Sequence, residues 1–451
     1  MKIAIVGTGY VGLVTGISLA LQNHKVICVD NDKNKVSKIN KGKSPFFEPD
    51  IDKYLKKVLK ERTLKATNDL QGAILESNVT IIAVGTPTIN SKIDLSFIKT
   101  ASAQIGESLG KVKNYHVIAV KSTVLPGITE KVIKPILEKY SKKKVGEFGL
   151  CMNPEFLREG NAIEDALNPD RIIIGQIDDK SGKEFAKIYS KLSVPKIFTN
   201  LATAEFTKYA ANSLFATLIS FSNEISRIAE TTENVDVLDV WKGVHLDKRL
   251  SPIINSQRIK PGVLSYILSG CGFGGSCFPK DIKALSSFAD EIGSEGGLIK
   301  SVIDINTTQP QRMILLLKKA MGAANLKNKK IAVLGLTFKP NTDDIRESVA
   351  LPIIETLLSQ EAIVVAHDPM AYKENISPQL TNLPITLADT LKEALENAEA
   401  AIVVTAWDEY IKLSPEFFIK MMKKPIVIDG RRIYDKHSFL KKGVIYKGIG
   451  T

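Results

Sequence analysis

Cysteine is scarce in this sequence and forms no recognisable pattern. Four cysteines, Cys28, Cys151, Cys271 and Cys277, are spread over 451 residues, and no two of them make a CxxC pair. So few thiols in so long a chain exclude a disulfide framework of the kind found in small secreted proteins. We therefore predict a reducing, cytoplasmic environment, and we predict no metal site.

Long apolar runs are also missing. No stretch approaches the roughly 18 consecutive apolar residues that a membrane-spanning helix requires. The opening MKIAIVGTG starts an apolar run, but glycines interrupt it and no small-residue cleavage site follows. Neither a signal peptide nor a membrane span is therefore expected. With 44% hydrophobic and 24% charged residues, the composition is typical of a globular protein and excludes disordered and collagen-like chains.

Charge of one sign is not concentrated in any segment. Lys and Arg number 61 against 49 Asp and Glu, which gives a net charge of +12, and only ten of the basic residues are Arg. The one short basic run is 142–144, and basic residues do not cluster with aromatic ones. Nucleic acid is therefore not a predicted partner. The excess of Lys is typical of solvated helix faces, and anionic ligands such as nucleotides are the alternative explanation.

The first third of the chain alternates strand-like and helix-like segments. Residues 2–6, 25–29, 79–84 and 116–120 are short apolar runs typical of buried strands. Helix-like stretches such as 98–109 separate them. This alternation predicts a parallel, doubly wound sheet.

The alternation returns near the end of the chain, after a helical interval. Four apolar runs predict the strands of a second α/β domain: 330–335, 362–366, 401–405 and 425–429. Residues 200–232 contain no Gly or Pro, and a helix of about thirty residues would span about 45 Å. Residues 233–310 are predicted to add further helices. We therefore predict an α/β fold with domains at 1–199, 200–324 and 325–451.

The first predicted strand leads directly into a GxGxxG motif. Gly7 allows the tight turn, Gly9 allows a pyrophosphate to approach the backbone, and Gly12 allows the next helix to pack closely on the strand. Asp30 follows the second strand, where a carboxylate binds ribose hydroxyls and would repel a 2′-phosphate. The motif therefore predicts NAD rather than NADP as the cofactor, with Lys35 as a further residue near the adenine.

Among the cysteines, only Cys277 lies in a setting that activates a thiol. Four glycines between residues 270 and 275 would let the backbone approach a ligand closely. Pro279 suits the first turn of a helix, so Cys277 is predicted at or just before a helix N-terminus. That position, with Lys280 nearby, lowers the pKa of a thiol and favours the nucleophilic thiolate. The other three cysteines are predicted to be structural.

Two further pairs of polar residues have spacings that suit a reactive site. Lys208 and Asn212 are four residues apart on one face of the predicted long helix, and a cation beside an amide can stabilise an oxyanion. Glu155 and Glu159 follow the end of a predicted strand, where α/β proteins place their sites. Taken alone, both pairs also fit an ordinary solvated surface.

Taken together, these segments resemble the UDP-glucose/GDP-mannose dehydrogenase family over essentially the full length of the chain. The motifs that carry the resemblance occur in the family's order: GTGYVGL with Tyr10 and Val11, VGTP at 84–87, KSTVLPG at 121–127, NPEFLREG at 153–160, the Lys208/Asn212 helix, GFGGSCFPKD at 272–281, LTFKPNTDDIRES at 336–348 and DGRR at 429–432. The resemblance implies two Rossmann-like doubly wound parallel-sheet domains, the first binding NAD and the second a nucleotide sugar, joined by a long helix and a helical middle domain.

The resemblance also implies roles for individual residues. Cys277 would be the catalytic thiol, and Lys208 and Asn212 the oxyanion-stabilising pair. Thr123, Glu155 and Asp281 would position a catalytic water. The implied cofactor-binding residues are Gly7, Gly9, Tyr10, Val11, Gly12, Asp30, Lys35, Thr86, Thr123, Glu159, Lys280 and Arg346. The implied nucleotide-sugar-binding residues are Glu155, Phe156, Leu157, Arg158, Lys208, Asn212, Arg258, Phe273, Gly274, Lys339 and Arg431.

One position departs from the family's pattern. The family often has an Arg about sixteen residues before its catalytic Cys, donated across a dimer interface to the sugar nucleotide. In this sequence that register holds Pro261, and Arg258 lies three residues earlier. Either Arg258 takes this role or the contact is absent, which leaves the identity of the sugar open.

The resemblance implies a homodimeric enzyme that oxidises the C6 alcohol of a nucleotide sugar to a carboxylate, a four-electron reaction through a thiohemiacetal and a thioester on Cys277. UDP-glucose to UDP-glucuronate, a reaction of polysaccharide biosynthesis, is the expected conversion, and GDP-mannose or a UDP-N-acetylhexosamine is the alternative substrate. Two other classes stay open: a two-electron dehydrogenase of the hydroxyacid type and a non-catalytic nucleotide- or nucleic-acid-binding protein. Cys277 in its glycine-rich setting argues against both.

Overall fold

The computed structural model of the chain describes residues 1–89, 92–370, 380 and 382–451. These residues form two compact units, Met1–Ala211 and Asn212–Thr451. Within the described ranges, no helix combines the length and the apolar character needed to cross a membrane.

The first unit alternates strands and helices. Its strands are β1 (Lys2–Val6), β2 (Lys25–Val29), β3 (Leu64–Thr67), β4 (Val79–Ile82), β5 (Thr88–Ile89), β6 (Lys92–Ile93), β7 (Val117–Val120), β8 (Gly149–Met152), β9 (Ile172–Gln176) and β10 (Lys196–Thr199). Its helices are α1 (Tyr10–Leu21), α2 (Lys33–Asn40), α3 (Ile51–Lys60), α4 (Leu70–Leu75), α5 (Ser96–Leu109), α6 (Lys134–Ser141), α7 (Ala162–Leu167) and α8 (Asp179–Ala186).

Eight of these strands form one sheet in the order β10-β9-β8-β7-β4-β1-β2-β3. Apart from β8 and β9, which pair antiparallel, neighbouring strands are parallel. The chain runs outward from β1 in both directions, so the strand order reverses between β1 and β4. In doubly wound sheets this reversal marks the place where ligands bind, at the carboxyl ends of the strands.

The apolar runs of the sequence are the buried strands of this sheet. Ile3, Ala4 and Ile5 of β1 are completely buried, as are Ile81 and Ile82 of β4. Helices cover both faces of the sheet and form separate apolar cores with it. Because both faces are covered, side chains on either side of a strand must be apolar, and the strand appears as a continuous apolar run.

The second unit combines helices with a second sheet. The long helix α9 (Leu201–Ala229) runs into it from the first unit. The helical part continues with α10 (Val237–His245), the short strands β11 (Ile253–Ile254) and β12 (Gln257–Arg258), α11 (Phe278–Glu291) and α12 (Gly297–Met321).

The second sheet repeats the doubly wound order of the first. Its strands are β13 (Lys330–Leu334), β14 (Ile363–His367), β15 (Thr386–Leu387), β16 (Ala400–Val403), β17 (Ile426–Asp429) and β18 (Ile445–Gly448), and the accompanying helices are α13 (Ala350–Ser359), α14 (Leu391–Leu395), α15 (Asp408–Ile411), α16 (Pro415–Met421) and α17 (Lys436–Lys441). The strands are all parallel in the order β15-β14-β13-β16-β17-β18. This confirms the predicted fold of two doubly wound domains with a helical segment between them in sequence.

Three local details of the fold are not visible in the sequence patterns. The first helix begins at Tyr10, because Gly9 and not a later residue is its N-cap. The segment before α6 is a five-residue π-helical turn, Thr129–Ile133. Strand β9 runs antiparallel to β8, which an apolar run cannot indicate, because burial on both faces gives the same pattern for either strand direction.

Candidate active site

The glycine-rich turn between β1 and α1 has the geometry of a phosphate-binding loop. Gly7 has a positive φ of 98°, and a side chain there would meet the carbonyl oxygen of Ala83 at 2.7 Å. A side chain at Gly12 would lie 1.9 Å from the carbonyl oxygen of Gly7, whereas Gly9 has open space around it. Two glycines thus allow the turn and the close packing, and the third leaves room for a ligand at the amino end of α1.

Asp30 is placed at the carboxyl end of β2, beside this turn. Its Oδ2 accepts hydrogen bonds from the Thr8 N–H at 2.9 Å and the Thr8 hydroxyl at 2.7 Å, and its Oδ1 accepts one from the N–H of Asp32 at 3.0 Å. Burial would raise the pKa of the Asp30 carboxyl, but these hydrogen bonds and the Lys35 charge outweigh it and hold that pKa below its usual range. Asp30 is therefore a fixed negative charge at neutral pH.

Tyr10, the first residue of α1, is tied to a carboxylate that lies far away in sequence. Its hydroxyl donates a short hydrogen bond to Glu48, and Glu48 also accepts from the N–H groups of Gly160 at 2.7 Å and Ala162 at 2.6 Å. Burial, reinforced by Glu48, raises the pKa of the Tyr10 hydroxyl far above its usual range, so the hydroxyl stays a donor. Glu48 thus connects the glycine-rich turn to the loop that ends the NPEFLREG motif.

The two threonines expected at the cofactor are brought together at the carboxyl edge of the sheet. The Thr86 hydroxyl donates to the carbonyl oxygen of Thr123 at 2.7 Å. Thr86 follows β4 and Thr123 follows β7, and these are neighbouring parallel strands. Both residues therefore lie next to the reversal of strand order.

Glu155 and Lys208 form a buried ion pair. Their Oε1 and Nζ atoms are 2.8 Å apart, and the other carboxylate oxygen accepts from the N–H of Leu157 at 2.7 Å. Both side chains are at least nine-tenths buried. Burial would raise the pKa of the Glu155 carboxyl, but the charge and hydrogen bond of Lys208 lower it overall. The pair is therefore ionised at neutral pH.

The rest of the NPEFLREG loop packs around this pair. Two cations approach the Phe156 ring: the Arg171 guanidinium is 4.0 Å from its centroid and Lys208 Nζ is 5.5 Å from it. Arg158 is exposed and pairs with Asp165, with 2.6 Å between Nη2 and Oδ1. The Arg158 guanidinium is thus paired with a carboxylate of its own loop region.

A buried lysine that the sequence analysis did not select lies next to the ion pair. Lys121, at the end of β7, donates from Nζ to Asn153 Oδ1 at 2.9 Å. Burial, opposed by the Glu155 charge and assisted by the Lys208 charge, lowers the pKa of the Lys121 ammonium to about 8. A charged residue directly after an apolar strand was the signal that could have identified it.

In the second unit, Cys277 is the N-cap residue of α11 and Pro279 lies in the first turn of that helix. The N–H of Asp281 donates to the Cys277 carbonyl at 2.9 Å. Its thiol is half-buried, whereas the other three cysteines are buried. Burial raises the pKa of the Cys28 thiol to about 12. The thiol at the helix start is thus the accessible one.

Asp281 joins two of the other expected site residues. Its side chain is 1% exposed, and it lies 2.5 Å from Lys280 Nζ through Oδ1 and accepts from Asn212 Nδ2 at 2.6 Å through Oδ2. Lys280 was expected at the cofactor, and in this structure its ammonium pairs with Asp281. Asn212 in turn has its amide oriented by Asp281.

The glycine-rich loop before Cys277 is fixed by close backbone packing. Asn306 of α12 holds Phe273 at both ends, accepting from its N–H at 2.9 Å and donating to its carbonyl at 3.0 Å. A side chain at Gly274 would lie 2.2 Å from the Glu347 carbonyl oxygen, and one at Gly275 would meet the Phe338 ring at 2.7 Å. The loop therefore cannot carry larger residues at these two positions.

Four basic residues of this unit were also predicted to bind the substrate or the cofactor, and they differ in the hydrogen bonds and ion pairs that they form within the chain. Arg431 donates to the carbonyls of Val404 at 2.6 Å and Gly272 at 3.1 Å. Arg346 pairs with Asp344, with 2.7 Å between Nη2 and Oδ2. Lys339 is half-buried beside the Phe338 ring. Arg258 donates from Nη1 to the carbonyls of Leu246 at 2.8 Å and Ser251 at 2.9 Å.

Three family models cover nearly the whole chain. The UDP-glucose/GDP-mannose dehydrogenase family's NAD binding domain matches residues 1–193, its central domain matches 202–308, and its UDP binding domain matches 332–436. The chain belongs to the UDP-glucose/GDP-mannose dehydrogenase family.

Relatives within this family are similar over their full lengths. The chain is 38% identical to the UDP-glucose 6-dehydrogenase AglM of Haloferax volcanii, with 100% of both chains covered. It is also 38% identical to the UDP-glucose 6-dehydrogenase TuaD of Bacillus subtilis, covering 93% of that protein. The solved UDP-glucose dehydrogenase of Pyrobaculum islandicum is 33% identical with a TM-score of 0.88, covering 99% of this chain and 97% of that chain.

A second solved relative carries a different sugar in its name. The UDP-D-ManNAc dehydrogenase of Pyrococcus horikoshii is 29% identical, with a TM-score of 0.84 and 100% of this chain and 99% of that chain covered. The fold of this family therefore accommodates more than one nucleotide sugar.

The chain is an NAD-dependent nucleotide-sugar dehydrogenase, and the residues of the first unit fit this cofactor. The open space at Gly9 admits a pyrophosphate to the amino end of α1. The fixed negative charge of Asp30 suits a ribose with free hydroxyls and disfavours a 2′-phosphate.

Proposed function

We propose that this family member oxidises the C6 alcohol of UDP-glucose to the carboxylate of UDP-glucuronate in two NAD-dependent steps. The observation that carries the proposal is the half-buried Cys277 thiol at the start of α11. An alcohol dehydrogenase that stops at the aldehyde needs no nucleophile, whereas oxidation of an aldehyde to an acid requires an adduct from which a second hydride can leave. The full-length similarity to proteins named UDP-glucose 6-dehydrogenase favours UDP-glucose.

The first oxidation requires a stabilised alkoxide. When bound, NAD supplies the hydride acceptor for both oxidations. We assign Lys208 and Asn212 to the alkoxide. An ammonium has three N–H donors and an amide has two, so the contacts with Glu155 and Asp281 are compatible with a further hydrogen bond from each.

The second oxidation and the final hydrolysis use the thiol and a water. The Cys277 thiolate adds to the aldehyde carbon and gives a thiohemiacetal, whose loss of hydride leaves a thioester. Water positioned by Thr123, Glu155 and Asp281 then adds to the thioester carbon. The C–S bond breaks, the sugar carboxylate leaves and Cys277 regains its thiol.

The remaining assignments are part of the same proposal. We assign the cofactor to Tyr10, Val11, Asp30, Lys35, Thr86, Thr123, Glu159, Lys280 and Arg346 beside the three glycines of the turn. We assign the nucleotide sugar to Glu155, Phe156, Leu157, Arg158, Lys208, Asn212, Arg258, Phe273, Gly274, Lys339 and Arg431. The domains proposed for these roles are 1–199, 200–324 and 325–451.

The cellular setting is also a proposal. We propose a cytoplasmic homodimer that supplies UDP-glucuronate for polysaccharide biosynthesis. The scarcity of cysteine pairs supports a reducing compartment.

Another nucleotide hexose is the second candidate substrate. Pro261 stands where the family often has an Arg, and Arg258 donates to carbonyls of its own chain in this structure. A sugar that does not use this Arg would fit that arrangement as well as UDP-glucose does.

The experiment is a panel of nucleotide sugars with NAD and the full-length protein, followed at 340 nm. We expect turnover with UDP-glucose and two NADH formed per sugar consumed. One NADH per sugar would indicate a two-electron dehydrogenase. Turnover only with GDP-mannose or a UDP-N-acetylhexosamine would show that the proposed substrate is wrong and that the proposed four-electron reaction is right.

A further inference from the structure

Three ionisable side chains are buried together at the carboxyl edge of the first sheet. Lys121 and Glu155 are each 7% exposed, and Lys208 is 3% exposed. Lys208 pairs with Glu155 at 2.8 Å, and Lys121 is close enough to influence the pKa of that carboxyl. Two ammonium groups and one carboxylate leave the cluster, defined as Lys121, Glu155 and Lys208, with one positive charge in excess when all three are ionised.

Lys121 is held in this cluster by a neutral group. Asn153 Oδ1 accepts from Lys121 Nζ at 2.9 Å and from the Tyr189 hydroxyl at 2.7 Å, and its Nδ2 donates to the Ile173 carbonyl at 2.8 Å. These bonds fix the amide with its oxygen toward the ammonium. Among the described residues, no carboxylate lies within ion-pair distance of Lys121 Nζ, so the Lys121 ammonium is held by the neutral Asn153 amide and not by a carboxylate.

A buried excess charge is costly unless an opposite charge compensates for it. The proposed reaction generates a compensating charge, because an alkoxide forms at Lys208. When Lys208 shares its donors between the alkoxide and Glu155, the buried Glu155 carboxylate loses part of its compensation. A second cation nearby would keep that carboxylate ionised and would also attract the alkoxide.

We propose that Lys121 is a positioning residue that keeps Glu155 ionised and supplies the second positive charge for the alkoxide at Lys208. This rests on the proposed function, since it needs an alkoxide in that place. It does not require Lys121 to touch the substrate or the cofactor.

The charge of Lys121 changes in an accessible pH range. Glu155 and Lys208 are the charged groups that face it, and Tyr189, also in its network, stays protonated because burial raises the pKa of its hydroxyl. Burial lowers the pKa of the Lys121 ammonium to about 8, so the cluster changes from one excess positive charge to none as the pH rises through 8. A base whose pKa is lowered in the folded state destabilises the fold while it is charged, and this penalty disappears between pH 8 and about 10.4, the ordinary lysine value.

The test compares wild-type protein with Lys121→Met, Lys121→Arg and the exposed-lysine control Lys113→Met. We would measure kcat, KM for UDP-glucose and NAD, and Tm between pH 7 and pH 10. We expect Lys121→Met to lower kcat at pH 7 by about tenfold to a hundredfold, less than the loss of a direct oxyanion donor. The ratio of wild-type to variant kcat should shrink above pH 8, because the wild type loses the same charge. Lys121→Arg should retain more of kcat, and Lys113→Met should match the wild type.

The outcomes separate this inference from the proposed function. A Lys121→Met protein that keeps wild-type kcat, or whose loss of kcat is the same at every pH, overturns the role of Lys121 and leaves the reaction intact. If Lys121→Met does not fold, the comparison of Lys121→Arg with the wild type decides. Arg keeps its charge at every pH tested, so the ratio of wild-type to Lys121→Arg kcat should fall as the pH rises above 8, and a ratio that does not change with pH overturns the role of Lys121. A wild type that oxidises no nucleotide sugar overturns the proposed function and this role with it.

Discussion

Cofactor choice depends on one carboxylate, Asp30. Its oxygens are held by Thr8 and Asp32, and its lowered pKa keeps it ionised at neutral pH. A fixed negative charge at this place repels a 2′-phosphate, so we expect kcat/KM to favour NAD over NADP by well over tenfold, or more than about 1.4 kcal/mol. Asp30→Asn keeps the size and removes the charge, and it should narrow the preference. Equal kcat/KM values for the two cofactors in the wild type would contradict this account.

The thiol of Cys277 is expected to determine how many hydrides each sugar gives up. Cys277→Ala should bind NAD and sugar nucleotide but lose steady formation of two NADH per sugar. Cys277→Ser should also lose turnover, because an ester forms slowly and hydrolyses poorly. The control is Cys28→Ala, since burial raises the pKa of that thiol to about 12 and keeps it unreactive. NADH per sugar and intact-protein mass are the measurements, and near wild-type stoichiometry in Cys277→Ala would show that the thiolate assignment is wrong.

At the scale of residues, the sequence can identify a functional side chain when its role depends on the strand or helix directly beside it in the chain. Asp30 follows a strand and Cys277 precedes a helix, and both relations are visible in a few neighbouring residues. The residues next to Glu48 and Asn306 in the sequence do not indicate a role for either side chain. Glu48 meets Gly160 across 112 residues and Asn306 meets Phe273 across 33 residues, so these contacts exist only once the chain is folded.

At the scale of elements, Glu48 connects α1 with α7. It is 4% exposed and accepts hydrogen bonds from Tyr10, Gly160 and Ala162. Glu48→Gln replaces one acceptor oxygen with a donor, so a buried N–H should lose its partner at a cost of about 1–3 kcal/mol. For a domain of this size, that is a decrease in Tm of several degrees. The KM for NAD should rise more than kcat falls, because the glycine-rich turn loses its support.

Two variants make this element-scale prediction specific. Tyr10→Phe removes only the hydroxyl and keeps the ring beside Phe46, so its effect on Tm should be smaller than that of Glu48→Gln. Glu61→Gln changes an exposed glutamate and should change neither Tm nor KM. Melting curves and NAD titrations measure both effects, and a Glu48→Gln protein with wild-type Tm would refute the structural role.

At the scale of the whole molecule, both doubly wound sheets were predictable because their strands are buried on both faces and appear as apolar runs. Strand direction was not predictable: β9 pairs antiparallel with β8, and a strand buried on both faces gives the same apolar run in either direction. The division into two compact units falls between Ala211 and Asn212, inside the continuous helix α9. No glycine, proline or change of composition marks that point, so sequence alone could not place it.

Exposed apolar side chains on α9 predict that the molecule assembles into a homodimer. Leu214, Phe221 and Ile228 follow one another at seven-residue spacing on α9 and are 56%, 49% and 58% exposed. Large apolar side chains along one helix face favour burial against a partner, so we expect a homodimer of twice 49.4 kDa. Phe221→Glu combined with Ile228→Glu should give monomers, whereas Leu440→Glu, a change at an exposed leucine on α17, should not. Light scattering at micromolar concentration measures the mass, and a wild-type value near 49 kDa would exclude the dimer, because an interface of this kind should persist at that concentration.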